Sequence, residues 1–488
     1  MSIRHFPGRI VAGLLMVAAA TTLAIPDQAS LAAHVQRTAS TAGRVLGAPA
    51  KGTPSFPAIT KSVEQVRQLA ECGGIMYAVG QFSTILWNGR TYTRHNAFSF
   101  RATSPYAVTR WNPNVNGIVN TISFNSGNCS VAYLGGRFTA IHGATAHDIA
   151  NVDTSVGAVQ KGFLHSANGQ VETIASYQDH LLVGGYFTQI SGSGADPYLV
   201  SLNPASGKND GFLHLNISGH YVYPGAAANA TRAYNQQISH SGKLDLVEGD
   251  FTSVGGRHRK QIFMLDLSSR PRATVTGWTS PQFDGSKGYP STGGYYYYCT
   301  GKEPFYIRAA AWSPDDSTIY IATTGYRPWN YRRGYPLRGL CDAAVAFPAA
   351  DRSVLYKWRN FTGCYSLYSA AADANTAYFA GHELWSQSPG GCKKFRLDRN
   401  RISAAGFEGL SPANGNIIFD PTRSRGLGAD DMMLVTSAGL WIASDNFDGS
   451  QNCGRTSSTN SWPPPRPGGE RPPGRPIGGH AGICLLPY

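Results

Sequence analysis

The residues best suited to chemistry in this chain are aromatic and cationic, and they cluster. Tyr295-Tyr296-Tyr297-Tyr298 precedes Cys299, and Tyr326-Arg327-Pro328-Trp329-Asn330-Tyr331-Arg332-Arg333-Gly334-Tyr335 follows. Aromatic rings stack on sugars or bases, and guanidinium groups pair with carboxylate or phosphate. Tyr296, Tyr297, Arg327, Trp329, Tyr331, Arg332 and Arg333 are therefore the candidate ligand-binding residues. Arg257-His258-Arg259-Lys260 forms a second basic cluster. The competing structural role is that tyrosine runs cover a sheet edge while the arginines are solvated.

Groups for bond-breaking are sparse. The sequence holds no G-x-S-x-G nucleophile elbow, no H-E-x-x-H and no phosphate-binding G-x-x-x-x-G-K. Asp245, Glu248 and Asp250 could supply general acid and base carboxylates. Asp315-Asp316 and the pair Asp445/Asp448 could serve calcium, but both sit in turn-forming sequence. His142 and His147 are the nearest histidine pair, in a loop. No catalytic residue, metal ligand or cofactor is assigned from these patterns.

Something must position these residues, and one repeated phrase shows what. Ala78-Val79-Gly80-Gln81-Phe82-Ser83, Leu134-Gly135-Gly136-Arg137-Phe138-Thr139, Val183-Gly184-Gly185-Tyr186-Phe187-Thr188 and Val247-Glu248-Gly249-Asp250-Phe251-Thr252 are four versions of it. Copies two to four end in Gly143, Gly192 and Gly255. Each follows an apolar run, the mark of a strand buried on both faces. Glycine permits a turn with positive φ or a close approach of another chain. The Phe supplies a large ring to bury between sheets. The structural repeat residues are thus Gly80, Phe82, Gly136, Phe138, Gly185, Phe187, Gly249 and Phe251. Degenerate copies at Ile319-Tyr320-Ile321-Ala322-Thr323, Ala377-Tyr378-Phe379-Ala380-Gly381 and Leu440-Trp441-Ile442-Ala443-Ser444 bring the count to seven. The unit around Val171–Leu213 reads as four short strands. Seven such units suit a closed ring of sheets, an all-β β-propeller with seven four-stranded blades. A seven-unit β-solenoid is the alternative, although its coils are usually shorter.

The runs Leu134–Gly143 and Leu182–Gly192, followed by Leu199-Val-Ser-Leu-Asn-Pro-Ala-Ser-Gly207, resemble the delta-60 repeat of secreted bacterial β-propellers. The match covers roughly residues 70–270, and the ending Gly478–Tyr488 is similar to the closing segment of such proteins. The resemblance implies a fold. It implies no activity, because it carries no catalytic residues with it.

Composition sets the setting. Arg4 and Arg9, the apolar run Ile10–Ile25 and the small residues Ala32-Ala33 read as a signal peptide, residues 1–33. No later stretch is long and apolar enough to span a membrane. Residues 34–57 read as a disordered leader, 58–454 as the propeller, and 455–488 as a Pro-rich basic loop ending in a disulfide-tethered closing segment. Eight cysteines (Cys72, Cys129, Cys299, Cys341, Cys364, Cys392, Cys453 and Cys484) are an even number without any C-x-x-C pair. That favours disulfides over zinc. Pairing of sequence neighbours is the simplest connectivity, with Cys453–Cys484 tying down the tail. A formal net charge of +13 draws an exported protein to polyanions.

These observations lead to one expectation. The chain is a secreted, monomeric, extracellular binding or scaffold module at the cell surface, recognising an anionic glycan or a protein partner. Sequence-specific nucleic-acid binding is not expected, since no recognition helix is visible. The alternative is a propeller-fold polysaccharide hydrolase or lyase, which needs carboxylates or a Tyr, His and Arg set converging on one face.

Overall fold

The computed structural model describes residues 44–46, 48–57, 65–125, 127–220, 230–284, 306–324, 340, 342–361, 367–381, 407–419, 432–447 and 480–488. The described chain forms seven antiparallel sheets of three or four strands, with three two-stranded hairpins beside them. Their first strands are Gln65–Cys72, Ile118–Asn125, Val171–Tyr177, Arg232–Ile238, Tyr306–Trp312, Leu367–Ala372 and Met432–Thr436. The second strands are Ile75–Gln81, Asn128–Arg137, His180–Gly185, Leu244–Asp250, Thr318–Thr324, Ala377–Gly381 and Gly439–Phe447. All seven copies of the repeat phrase lie in these second strands or at their ends.

The sheets close on themselves. The first strand of each sheet contacts the first strand of the next, and that of sheet 7 contacts that of sheet 1. The apolar side chains agree. They fall into seven separate clusters, each between two neighbouring sheets. Tyr77 and Ile122 join sheets 1 and 2, Tyr133 and Ile174 sheets 2 and 3, and Leu182 and Val247 sheets 3 and 4. Met264 and Ile319 join sheets 4 and 5, Tyr320 and Phe379 sheets 5 and 6, and Tyr378 and Ile442 sheets 6 and 7. The last cluster brings Met432 and Trp441 of sheet 7 against Met76 and Phe98 of sheet 1. Each sheet buries both faces against neighbours, as the continuous apolar second strands require. The molecule is a β-propeller of seven sheets.

Three details differ from expectation. Among the described residues only sheets 4, 5 and 6 have four strands. In sheets 1, 2 and 3 the fourth strand shrinks to single bridges, Phe100↔Val108, Val152↔Val159 and Leu202↔Asn209. The outermost strand has one sheet neighbour, so it tolerates this loss. In sheet 2 the chain there is held instead by Asp153, whose carboxylate accepts the backbone N–H groups of Ser155, Val156 and Ala158 at 2.7–2.9 Å.

The closing segment is part of the propeller and not an appendage: His480–Pro487 is the third strand of sheet 7. The stretch 34–57 is likewise no flexible leader over its described part. The Leu46 N–H donates to Pro487 O at 2.7 Å and the Ala50 N–H to Leu485 O at 2.8 Å. Ser55 bridges both Gly482 and Leu86, while Val45 and Phe56 enter the flanking cores. Sheet 7 is therefore closed by both ends of the described chain.

Cys72 and Cys129 form a disulfide with Cα atoms 5.6 Å apart, joining sheets 1 and 2. Cys484 is also disulfide-bonded. Cys299, Cys341, Cys364, Cys392 and Cys453 lie outside the described residues. The Cys72–Cys129 bridge spans 57 residues, so chain-entropy arguments give it about 4 kcal/mol. The double variant Cys72→Ser/Cys129→Ser should unfold at lower urea concentration with a steeper slope, because the unfolded chain loses a cross-link and exposes more surface. An unchanged midpoint would remove the bridge from the stability account.

Candidate functional site

Local geometry of the first strands builds the site. In sheets 1 to 6 each first strand carries an irregularity at the same register, opposite the phrase's glycine or the Thr323 that replaces it. The residue skipped by the ladder is Arg67, Asn120, Glu172, Tyr234, Arg308 or Tyr368. A bulge re-aims one side chain and sharpens the local twist, and bulges recur beside functional sites. Here six of the seven sheets present one each around the ring.

The repeat glycines explain why the bulges fit. A Cβ at Gly80, Gly136, Gly185 or Gly249 would lie closer than 3.0 Å to the backbone oxygen of Gln65, Ile118, Gln170 or Arg232. Gln65, Ile118 and Arg232 belong to the strand entering the bulge, and Gln170 immediately precedes it. None of these glycines has positive φ, so close approach is what they supply. The trailing Gly143, Gly192 and Gly255 serve the other use, at φ of 80°, 78° and 57°. The phrase's Phe82, Phe138, Phe187 and Phe251 are all buried in the inter-sheet clusters.

The bulged residues form a chain of contacts around the ring. Arg67 Nη1 donates to Asn120 Oδ1 at 2.8 Å, and Asn120 Nδ2 donates to Val171 O at 2.9 Å. Glu172 Oε1 accepts from Gln170 Nε2 at 3.1 Å and lies 3.6 Å from Arg232 Nη1. The Arg232 guanidinium sits 4.4 Å from the Tyr186 ring centroid and 5.3 Å from that of Tyr234, and it also donates to the Tyr186 hydroxyl. The Tyr234 hydroxyl donates to Ile307 O, and burial raises its pKa above the ordinary tyrosine value. Arg308 lies 5.6 Å from the Tyr306 ring and 5.7 Å from the Tyr368 ring. Arg67, Asn120 and Glu172 are buried, whereas Arg232, Tyr306, Arg308 and Tyr368 are half-buried. The exposed part of the arrangement thus belongs to sheets 4, 5 and 6.

In sheets 1 and 2 the residue after the bulge ties it to the next sheet. Gln68 Oε1 accepts the Ile122 N–H at 2.6 Å, and Thr121 Oγ1 accepts the Ile174 N–H at 3.2 Å. The opposite end of the ring is tied differently. There Arg270 Nη2 reaches Gln178 Oε1 at 2.9 Å. The His240 and Ser241 N–H groups donate to the Asp316 carboxylate at 2.7 and 2.8 Å. One end is thus laced from turn to turn, and the other presents arginine and tyrosine.

Not every sequence candidate meets here. Tyr296, Tyr297, Arg327, Trp329, Tyr331, Arg332 and Arg333 lie outside the described residues. The described residues next to those two stretches, Tyr306 and Thr324, pair with each other at the bulge end. The second basic cluster has structural work. Arg257 Nη1 donates to Val275 O at 3.0 Å, and Arg259 Nη2 to Thr276 O at 2.9 Å. His142 occupies an exposed turn at φ 51°. Asp315 accepts from Ser313 Oγ and Ser317 Oγ at 2.5 and 2.9 Å, in line with a turn former. Among the described residues no group of three or more His, Cys, Asp or Glu could hold a metal.

Asp245 and Glu248 are fully buried in sheet 4. Burial pushes the Asp245 carboxyl up to about 7, and the nearby Gln237 N–H offsets this only in part. Burial, with a smaller contribution from Asp245, pushes Glu248 up to about 8; Asn235 Nδ2 donates to its Oε2 at 2.9 Å.

The bulge residues were missed in sequence, although a signal existed. Val66-Arg67-Gln68, Val119-Asn120-Thr121 and Val171-Glu172-Thr173 share one form, a Val, a polar residue of changing type, then Gln or Thr.

No family model matches the chain, and no curated protein matches it. Solved structures similar in shape include the WD40 β-propeller domain of Doa1, at 11% identity and TM-score 0.41, covering 81% of this chain and 94% of that one. U3-55K is similar at 7% identity and TM-score 0.44, covering 89% and 98%. The β-propeller domain of Myceliophteria thermophila Cps50 (Swd1) follows at 11% identity and TM-score 0.36, covering 64% and 79%. The propeller assignment rests on the strand pairing and the seven inter-sheet clusters. Among the described residues no helix is long and apolar enough to cross a membrane.

Proposed function

We propose that this chain is a secreted binding module that holds an anionic glycan at the bulge end of its ring. The observation that carries the reading is the row of bulged side chains at one register, with half-buried Arg232 and Arg308 set against tyrosine rings. An export-type N-terminus, a net charge of +13 and the Cys72–Cys129 disulfide fit an extracellular setting. The resemblance to delta-60 repeat propellers belongs to the same proposal. A guanidinium beside an aromatic ring keeps its charge while the ring offers a stacking face.

The test is retention of the purified protein on immobilised acidic polysaccharides, eluted with a salt gradient. The wild-type protein should be retained, and Arg308→Ala should elute at clearly lower salt with an unchanged melting temperature. Equal elution of the two proteins, or no retention of the wild type, would end the proposal.

A further inference from the structure

We infer that sheet 4 is a proton-operated element of the ring, packed firmly against sheets 3 and 5 in mildly acidic solution and loosened in mildly alkaline solution. Its basis is where ionisable groups meet. His180 Nδ1 lies 2.8 Å from Asp210 Oδ2, and His214 Nδ1 lies 2.9 Å from Asp196 Oδ1. Asp210 and His214 belong to the chain linking sheets 3 and 4. That chain sends Phe212, Leu213, Leu215 and Ile217 into the core between the two sheets. Its Phe212 O accepts the Ala273 N–H, beside the last strand of sheet 4, at 3.1 Å. On the other seam His240 Nδ1 lies 3.1 Å from Asp316 Oδ1, joining the turns of sheets 4 and 5. Asp245 and Glu248 are buried on the second strand of sheet 4. By strand alternation Asp245 shares the face of Val247, toward sheet 3, and Glu248 that of Leu246, toward sheet 5. Glu248 Oε1 has no hydrogen-bond partner among the described residues.

Both kinds of group respond to pH with the same sign. Imidazole changes charge between pH 5 and 8, and each His–Asp contact is an ion pair only while its imidazole is protonated. That attraction is present in acid and lost as pH rises. The two carboxyls are neutral in acid, and with rising pH each gains a charge that burial leaves uncompensated. The surrounding groups do not reverse this. The His180 ring stacks on Phe212 at 4.1 Å and lies 6.3 Å from Tyr177, with the Arg270 guanidinium 5.6 Å from Phe212. Tyr177 and Tyr198 are the titratable residues of the core that Asp245 faces. Asn209 Nδ2 donates to the other Asp196 oxygen at 2.8 Å. Near His240 are Lys243 and Asp315, whose carboxyl the Ser313 hydroxyl holds below its ordinary value. Near Glu248 are Asp245 and Tyr234, the latter within reach of the charges of Arg308, Arg232 and Asp250. Arginine, lysine and tyrosine keep their charge state between pH 6 and 8.5. The seam between sheets 2 and 3 is built otherwise. There His165 follows Gly162-Phe163-Leu164 as His214 follows Gly211-Phe212-Leu213. Its Nε2 meets Gln160 O at 2.9 Å, and burial lowers its pKa.

The experiment is backbone hydrogen exchange of the whole protein at pH 6.0 and pH 8.5, with protection corrected for the intrinsic rate at each pH. It needs no ligand, so its outcome is separate from that of the glycan reading. Protection in Arg232–Ile238 and Leu244–Asp250 should fall at least about tenfold between the two pH values, as ionisation of the buried carboxyls favours the open form. Protection in Ile118–Asn125 and Asn128–Arg137 should change less than about twofold. Asp245→Asn/Glu248→Gln, the neutral mimic of the protonated pair, should cut the fall in sheet 4 to about threefold. If the double variant does not fold, Asp245→Asn alone should still reduce it. Asp210→Asn should lower sheet 4 protection at pH 6.0 and leave it unchanged at pH 8.5. An equal fall in every sheet, no excess in sheet 4, or a full tenfold fall in the carboxyl variants overturns the inference. A loss in Asp210→Asn of the same size at both pH values overturns the part assigned to the histidines.

Discussion

Gly185→Ala is expected to destabilise the protein by about 3 kcal/mol or more, from the cost of forcing atoms into packed structure. The added methyl carbon would meet Gln170 O and Val171 Cα, both closer than or at about 3.0 Å and both backbone atoms that no rotamer change can move aside. Relief requires the first strand of sheet 3 to move away, and that strand also holds Asn120 through Val171 O. Gly194→Ala is the matched control. Its Cβ would find ordinary contacts at 3.5 Å and beyond, without positive φ, so stability should change by less than about 0.5 kcal/mol. Urea unfolding of the three proteins checks this. A tolerated Gly185→Ala would mean that the glycine serves something other than seating the bulge.

The second large effect concerns pH. Asp245 and Glu248 hold their protons to about pH 7 and 8 in the folded protein, whereas free carboxyls lose theirs near pH 4. Above pH 4 the unfolded chain has released protons that the folded chain still binds. Folding stability must then fall as pH rises, by about 1.4 kcal/mol per pH unit for each group, until each folded-state pKa is passed. Stability from this source is full below about pH 4 and lost by about pH 8. Asp245→Asn removes one such group. It should match the wild type near pH 4 and exceed it by a few kcal/mol at pH 8, seen as a flatter plot of unfolding free energy against pH. If the two plots run parallel from pH 4 to 8, the Asp245 carboxyl does not carry a raised pKa. The same burial argues against Asp245 as a solvent-facing catalytic base.

Much of the architecture could be read from the chain, for one physical reason. A sheet sandwiched between two others must be apolar on both faces, and seven runs such as Leu181-Leu182-Val183 and Ile319-Tyr320-Ile321 announce that. The repeat spacing holds even where the glycine is lost: Thr323 stands opposite Ile307, as Gly381 stands opposite Leu367 and Gly136 opposite Val119. Two features were illegible. The union of residues 44–57 with the C-terminal strand is a contact between segments more than 400 residues apart, and nothing local encodes it; Ala, Gly and Pro there read equally well as a linker. The bulges were hidden because Val171-Glu172-Thr173-Ile174 has the alternation of a regular strand. Only the partner strand's register reveals that Glu172 is skipped. The basic run Arg257–Lys260 misled in the opposite direction. Its arginines bind the carbonyls of Val275 and Thr276, a use that charge alone does not disclose.

The central claim is that ligand is held at the end of the ring where the bulges lie. Hydrogen exchange of backbone amides, with and without saturating polygalacturonate, addresses it most directly. Protection should rise around Arg232–Asn235, Tyr306–Ala309 and Leu367–Ser369, and stay unchanged at the turns near Gln178, Ser241 and Asp316. Protection confined to those turns, or spread over outer strands with none at the bulges, would contradict the account.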